Sequence, residues 1–496
     1  MEFVQNFPLF SIILSMFAGI VSSVLDGKWA KRVSLCLVTA VIAMSAAILV
    51  WTLRTGESYT YMMGHFPAPW GNEIRAGVLE ALTATIFGVV MLLSIVGGMN
   101  WIFVDVEPAK TNLFFIMVDL MLSSLLAMIY TNDLFTAYVF VEINTIAACG
   151  MIMIRQRGKG FVAAIRYMVI SQMGSGLFLI GLSLLYDITG HLLMSPAREA
   201  VETLVETGQY EVPLLMVIAV ISVGLAIKSG LYPFHSWIPD TYGYATPTAS
   251  AILSGLVSKG YVFLLIKIFY RVLGYEHVIA SRIVDLLFVF GIIGMIMGSV
   301  SAISEKDTRR MIAYSSVAQI GYIYMGIGLG TSAGMVAAVF HIFTHAATKA
   351  LLFISSVGLY EVSDGRYDRQ GLRGAAYRNP MAGFAFSVGA FSMVGFPMLS
   401  GFISKLLFAT AATQHPYKMV VTILALSISS VLNAIYFLRL VIAIYTPGES
   451  EGRYLRVRPS VQFQLSVALF IVLNLVLGLG SQPIVDAITE GLSMFG

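Results

Sequence analysis

Leu286-Leu287-Phe288-Val289-Phe290 lies inside an apolar run that covers about residues 281–302. Its side chains do not alternate between apolar and polar, which excludes a half-buried strand and the dyad pattern of a transmembrane barrel. A run of roughly 20 apolar residues is long enough to cross a bilayer as a helix. Working outward, comparable runs stand near 7–25, 33–53, 77–98, 111–130, 133–154, 161–186, 213–233, 248–271, 309–329, 333–357, 381–411, 417–445 and 461–485, about fourteen in all. The expected fold class is an all-α integral membrane protein.

Composition points the same way. The chain has 496 residues, of which 58% are apolar and 11% charged, against about 25% charged in ordinary soluble domains. Mean hydropathy is +0.84. So few charges cannot cover several soluble domains, so a soluble multidomain enzyme is excluded, and in lipid the backbone must satisfy its own hydrogen bonds. The net charge of +3, without a long basic run, gives no reason to expect a nucleic-acid partner. Cys36 and Cys149 both sit in apolar runs and cannot build a disulfide framework or a paired-cysteine metal site. The start, Met1-Glu2-Phe3, lacks a basic segment, so the first run reads as a resident helix rather than a cleaved signal. There is no phosphate-cradling loop, no dinucleotide fingerprint and no haem or iron–sulfur cysteine set. No cofactor and no redox or hydrolytic chemistry are therefore expected in this chain. Any energy source lies in a partner or an ion gradient.

The loops set an expected orientation. Loops after odd-numbered runs hold about 19 Lys and Arg, among them Lys31, Arg155, Arg309, Arg369, Arg439 and Arg453. Loops after even-numbered runs hold about 7: Arg54, Arg75, Arg198, Lys267, Arg271, Arg282 and Lys418. Odd loops are expected to be cytoplasmic and both termini to face outward, in a prokaryotic cell membrane.

Eight ionisable residues remain within or near the runs: Asp119, Glu142, Lys228, Lys259, His341, His345, Lys349 and Lys405. A charge at mid-bilayer costs about 2.5–3.5 kcal/mol on insertion scales, so these residues are expected to face one another or internal water. Two runs are also interrupted. After Lys228 comes Ser229-Gly230-Leu231-Tyr232-Pro233-Phe234-His235-Ser236-Trp237-Ile238-Pro239-Asp240, and before Lys405 comes Gly395-Phe396-Pro397-Met398-Leu399-Ser400-Gly401-Phe402-Ile403-Ser404. Proline and glycine break these helices, and neighbouring helices or water must repair the freed backbone. The breaks fall in the seventh and twelfth runs. The lysine precedes one and follows the other, as inverted repeats of a transporter would arrange it.

Glu142 lies roughly two and a half turns inside its run. A lysine partner would keep both groups charged, and parting the two would release a proton; the plain alternative is a structural buried ion pair. Lys228 and Lys259 are the candidate relay bases, because lysine out of water, unlike arginine, can exchange its proton. Lys259 has apolar neighbours on both sides, which places it too deep to snorkel. His341, His345 and Lys349 stand at i, i+4 and i+8, one stripe of a helix and a stepping path for protons. A metal site on the two histidines lacks a third ligand, so no metal is expected. Asp119, with Ser123 one turn on, is a candidate cation site or a protonated carboxyl bonded to another helix. Glu80 reads as interfacial, Asp307, Arg309 and Arg310 as a solvated cap, and Arg439 as a helix-end anchor.

Taken together, Asn132–Glu142, Ala226–Asp240, Leu253–Lys259, Arg310–Tyr322, His341–Lys349 and Phe396–Lys405 resemble the antiporter-like membrane subunits shared by Mrp cation/proton antiporters, respiratory complex I and membrane-bound hydrogenases. Lysine rather than glutamate at 405 is closest in type to the Mrp D-type, and to the complex I N-type, subunits. The resemblance implies fourteen helices, with inverted five-helix repeats at about 111–271 and 281–445 between an N-terminal three-helix segment (1–110) and a C-terminal loop and last helix (446–496). It implies that Glu142 pairs with Lys228, that Lys259 and the histidine stripe form the central relay, and that Lys405 ends the half-channel. Asp119, Glu80 and Phe396-Pro397-Met398, where a double proline is common, depart from the pattern. The function implied is proton translocation, with exchange for sodium left open, beside other membrane subunits of an Mrp-type or complex I-like assembly. The alternative is a scaffold or pumping subunit of a redox complex such as a membrane-bound hydrogenase.

Overall fold

The computed structural model describes residues 3–63, 66, 72–447 and 456–495; Met1, Glu2 and Arg453 lie outside them. About 83% of the chain is helical. The first helices, α1 (Phe7–Ser23) and α2 (Gly27–Thr55), meet at Asp26, whose carboxylate caps α2 by accepting from the Trp29 N–H at 3.0 Å. A short antiparallel hairpin follows, β1 (Tyr59–Met62) with β2 (Glu73–Ala76), in which Tyr59 faces Ala76 and Met62 faces Glu73. Strands of four residues lie below the reach of a pattern built on 20-residue runs.

Next come α3 (Val78–Gly97), α4 (Thr111–Tyr130), α5 (Leu134–Met153) and α6 (Gly158–Thr189), with Asp133 capping α5 through the Thr136 N–H at 2.8 Å. The amphipathic α7 (Met194–Glu206) buries Met194, Ala197 and Val201 on one face. Then α8 (Glu211–Ser229) breaks and resumes as α9 (Ile238–Tyr244), and α10 runs over Pro247–Leu273 with π-helical turns at Leu253–Val257 and Phe269–Leu273. The second half holds α11 (Ile283–Ser304), α12 (Thr308–Gly328) and α13 (Ser332–Glu361), followed by the broken pair α14 (Pro380–Val394) and α15 (Ser400–Ala412) and by α16 (Pro416–Tyr445). The last apolar run, expected to continue to about 485, stops at Gly480. There α17 (Val461–Leu479) gives way to the amphipathic α18 (Ser481–Ser493).

Among the described residues, twelve helices are long and apolar enough to cross a membrane. That set omits α12, which carries Arg309, Arg310 and Gln319, and the shorter α14 and α15. The most extensive helix packing joins α11 to α12, where a Cβ on Gly291 would sit 2.6 Å from the Met325 nitrogen, so only glycine fits. Both faces of the bundle carry cross-links between segments. On one, Asn132 N–H donates to the Glu73 carbonyl at 2.8 Å and Asp133 bridges Leu193, joining the hairpin, α5 and α7. On the other, the basic face, Arg155 pairs with Asp105 at 2.9 Å and Asp307 bridges Asp368. The apolar stretches of α10 and α13 are wholly enclosed by other helices. These two helices carry Lys259, His341, His345 and Lys349, so the candidate site lies in the core.

Candidate functional site

Lys228 occupies the last turn of α8, where the negative end of the helix dipole favours a cation. Gly230, at φ +80°, turns the chain at once, and the Ala226 carbonyl accepts from the Gly230 and Leu231 N–H groups. The Lys228 ammonium lies 3.8 Å from Glu142 Oε1 and donates to Thr145 Oγ1 at 2.6 Å. Lys228 is fully buried, whereas the Glu142 side chain keeps 21% of its surface exposed on the flank of the bundle. Behind the pair, Tyr261 OH donates to Asn144 Oδ1 at 3.0 Å and Asn144 Nδ2 donates to Ser124 Oγ at 2.8 Å.

Lys259 follows the first π turn of α10 and donates a hydrogen bond to the Ser254 carbonyl of its own helix. Ser254 Oγ is 3.0 Å from Ser316 Oγ on α12. Lys349, from α13, donates to the Ile312 carbonyl at 3.1 Å and to Ser315 Oγ on the same stretch of α12. Lys349 thus meets a seryl segment of α12 directly, and Lys259 reaches it only through Ser254. His345 is completely buried, and neither ring nitrogen has a hydrogen-bond partner among the described residues. The His341 ring lies 6.0 Å from it, nearly parallel, and His341 Nδ1 pairs with Ser404 Oγ at 2.6 Å. Lys405, on α15, donates to the Met393 and Val394 carbonyls at 3.2 and 2.6 Å and to Ser430 Oγ at 2.9 Å. It also sits 5.9 Å from the centre of the Tyr322 ring, which stacks on His341.

The structure therefore brings Glu142 to Lys228 and lines up the remaining candidates across the bundle. The stripe on α13 diverges more than its spacing suggests. Residues four apart drift by about 40°, so His341 and Lys349 differ by about 80°; one meets α15 and the other α12.

Several residues depart from the sequence reading. Glu80 is not interfacial: it is fully buried, bonded to Arg75 at 2.6 Å and closing a capping box at Gly77. Arg75 and Lys267 count with the loops by sequence, yet both are buried. Lys267 donates to the Ile129 and Thr131 carbonyls at 2.7 and 2.6 Å. It stands eight residues after Lys259 on the same helix, a spacing that could have flagged it. Asp307 does cap α12, and Arg310 binds Asp240 and Glu305. Arg309, by contrast, is a buried clamp on the Tyr242 and Ala245 carbonyls at 3.2 and 2.6 Å. Asp119 is fully buried against α1, where Ser22 Oγ donates to it at 3.3 Å, while Ser123 turns to the Ile12 carbonyl.

A cavity of about 450 Å³ opens on the basic face between α11, α12, the loop after α13 and α16. Tyr436 lies on its wall, and Tyr436 OH donates to Asn433 Oδ1 at 2.5 Å. Asn433 Nδ2 reaches the Met393 carbonyl, which Lys405 also uses. A polar path therefore joins this cavity to the Lys405 end of the array.

Residues 131–433 match the family described as NADH:quinone oxidoreductase/Mrp antiporter, TM. The N subunit of the NADH-quinone oxidoreductase of Desulforudis audaxviator is 30% identical over 96% of this chain and 94% of its own length. The D-type subunit of the Na(+)/H(+) antiporter of Alkalihalophilus pseudofirmus is 27% identical over 85% of this chain and 83% of its own. A chain of the membrane-bound sulfane sulfur reductase, an archaeal respiratory membrane complex, superposes with a TM-score of 0.88 at 25% identity, covering 100% of this chain and 98% of that one. A chain of the Mrp complex from Dietzia sp. gives the same TM-score at 22% identity over 99% of this chain and 97% of that one.

Proposed function

The chain belongs to the NADH:quinone oxidoreductase/Mrp antiporter transmembrane family, and from that premise we propose that it is the proton-translocating, antiporter-like membrane subunit of a multisubunit ion-pumping complex. The relay is Glu142, Lys228, Lys259, His345 with His341 and Lys349, and Lys405. One observation carries this reading: buried titratable groups extend across the bundle from a partly exposed Glu142 to Lys405, both lysine ends lying at helix breaks. Buried polar atoms without a hydrogen-bond partner among the described residues gather along the line, at Glu142 Oε1, Tyr322 OH, His341 Nε2 and both nitrogens of His345. Such groups need water or a moving proton to satisfy them.

The cargo of this line is the proton. Four lysines face a single carboxylate along it, and that charge balance repels sodium, which prefers oxygen ligands. The reading also takes fourteen crossings, with α12 and the α14–α15 pair counted as spans, inverted repeats at about 111–271 and 281–445, and, from the loop charge, both termini outside. Identity with an oxidoreductase N subunit and likeness to a respiratory complex favour a second reading, in which redox partners drive the same relay.

The test is Glu142→Ala in membrane vesicles. Losing the counter-charge strands Lys228, and proton-coupled transport is expected to fall roughly tenfold or more with assembly retained. Undiminished transport in an assembled variant would refute the relay.

A further inference from the structure

The basic face carries a second feature beside the cavity that leads toward Lys405. A cavity of about 380 Å³ adjoins the larger one, sharing Arg369, Gln370 and Arg439 with it and adding Arg373. The two acids among the described lining residues are already engaged: Glu305 holds Arg310 at 2.9 Å and Asp368 holds Arg366 at 2.7 Å. Arg369, Arg373, Arg439 and Lys306 form no ion pair and no side-chain hydrogen bond among the described residues. Four unpaired cations around one cleft repel one another, and arginine forks match phosphate oxygens.

The surroundings of the cleft identify the phosphate's carrier. Arg439 is six residues from the end of α16, about 9 Å along the axis, which is headgroup depth for a spanning helix. On the same helical stripe, one turn and two turns deeper, lie Ile435 and Val431, and beside Arg439 lies Ile442, 65% exposed. The packed neighbour α11 adds exposed Met297 and Val300. The cleft is thus polar and cationic, and exposed apolar side chains of α16 and α11 lie on its deeper side.

We propose that the cleft formed by Arg369, Arg373 and Arg439 binds the phosphate of an anionic phospholipid whose acyl chains lie along α16. The proposal does not depend on the proton reading.

A photoactivatable phosphatidylglycerol supplied to membranes containing the full chain in its native assembly tests it. Label is expected on peptides spanning 369–373 and 431–446, well above that from a photoactivatable phosphatidylcholine, and inorganic phosphate in excess should not displace it. Arg369→Gln/Arg373→Gln/Arg439→Gln is expected to lose roughly tenfold or more of the label, while Arg54→Gln, on the opposite face, keeps it. Label on other segments, equal labelling by phosphatidylcholine, or full labelling of the triple variant would overturn the site. Displacement by inorganic phosphate would overturn the lipid as its occupant. The mapping on the unmodified chain decides the matter even if the triple variant does not assemble.

Discussion

Lys405 is the residue where fixed charge and carried charge can be told apart. Its ammonium rests on two carbonyls freed by the end of α14 and on the Ser430 hydroxyl, with no carboxylate among these partners. Such a site can hold either the charged or the neutral amine, since carbonyl and hydroxyl partners lose no ion pair when the proton leaves. Lys405→Ala is expected to stop proton flux in reconstituted vesicles. Lys405→Arg is expected to restore little of it, because arginine keeps its proton at every working pH. A fully active arginine variant would make Lys405 a static charge. Glu142 and Lys228 differ in kind: at 3.8 Å with Thr145 close by, each stabilises the other's charged form, and in the proposed relay their separation is the step that would free a proton.

At the scale of elements, the two broken helices do the positioning. Each break is opened by a glycine in the left-handed region, Gly230 at φ +80° and Gly395 at φ +100°. For any other residue at 230 that backbone costs about 1–2 kcal/mol. It would also drive its Cβ into the Ile238 side chain. Gly230→Ala should therefore lower the unfolding temperature in detergent and reduce transport, by shifting the turn that holds Lys228. Gly176→Ala is the control: a Cβ there meets nothing within 4 Å on α6, so the unfolding temperature should hold or rise. Equal losses from both substitutions would mean that the break has no special geometry. The π turn before Lys259 is a third device of this kind, widening α10 where the ammonium folds back onto Ser254.

At the scale of the whole molecule, the face opposite the basic loops is closed by charge. Arg75 joins Glu80 of α3, Ser58 before the hairpin and the Met494 carbonyl beyond α18, so one guanidinium ties together segments from both ends of the chain. Arg75→Ala would leave Glu80 buried without its partner, an expected loss of about 3–5 kcal/mol. Thermal unfolding of the purified chain would register it. Arg75→Met combined with Glu80→Gln should recover part of the loss, because no bare charge remains. If the single variant unfolds like the parent, the pair contributes nothing to the closure.

Membrane-spanning helices, deep charges and breaks were legible in the residues themselves. Hydrocarbon thickness demands long apolar runs, and within such a run a Lys228 or a Gly-rich interruption has no disguise. The stripe of His341, His345 and Lys349 followed from helical period alone. Only the tertiary structure decided which neighbour each side chain meets. Near the end of a run, exposure depends on what packs beside it, so Arg75, Lys267, Glu80 and Arg309 read as loop or interface residues and proved to be buried. The hairpin and the turn at Gly480 were equally hidden, since strands of four residues and a helix of 13 carry no bilayer-length signal. The meeting of Lys349 with a seryl segment of α12, which Lys259 reaches only through Ser254, depends on three helices, and no local pattern in any one of them encodes it.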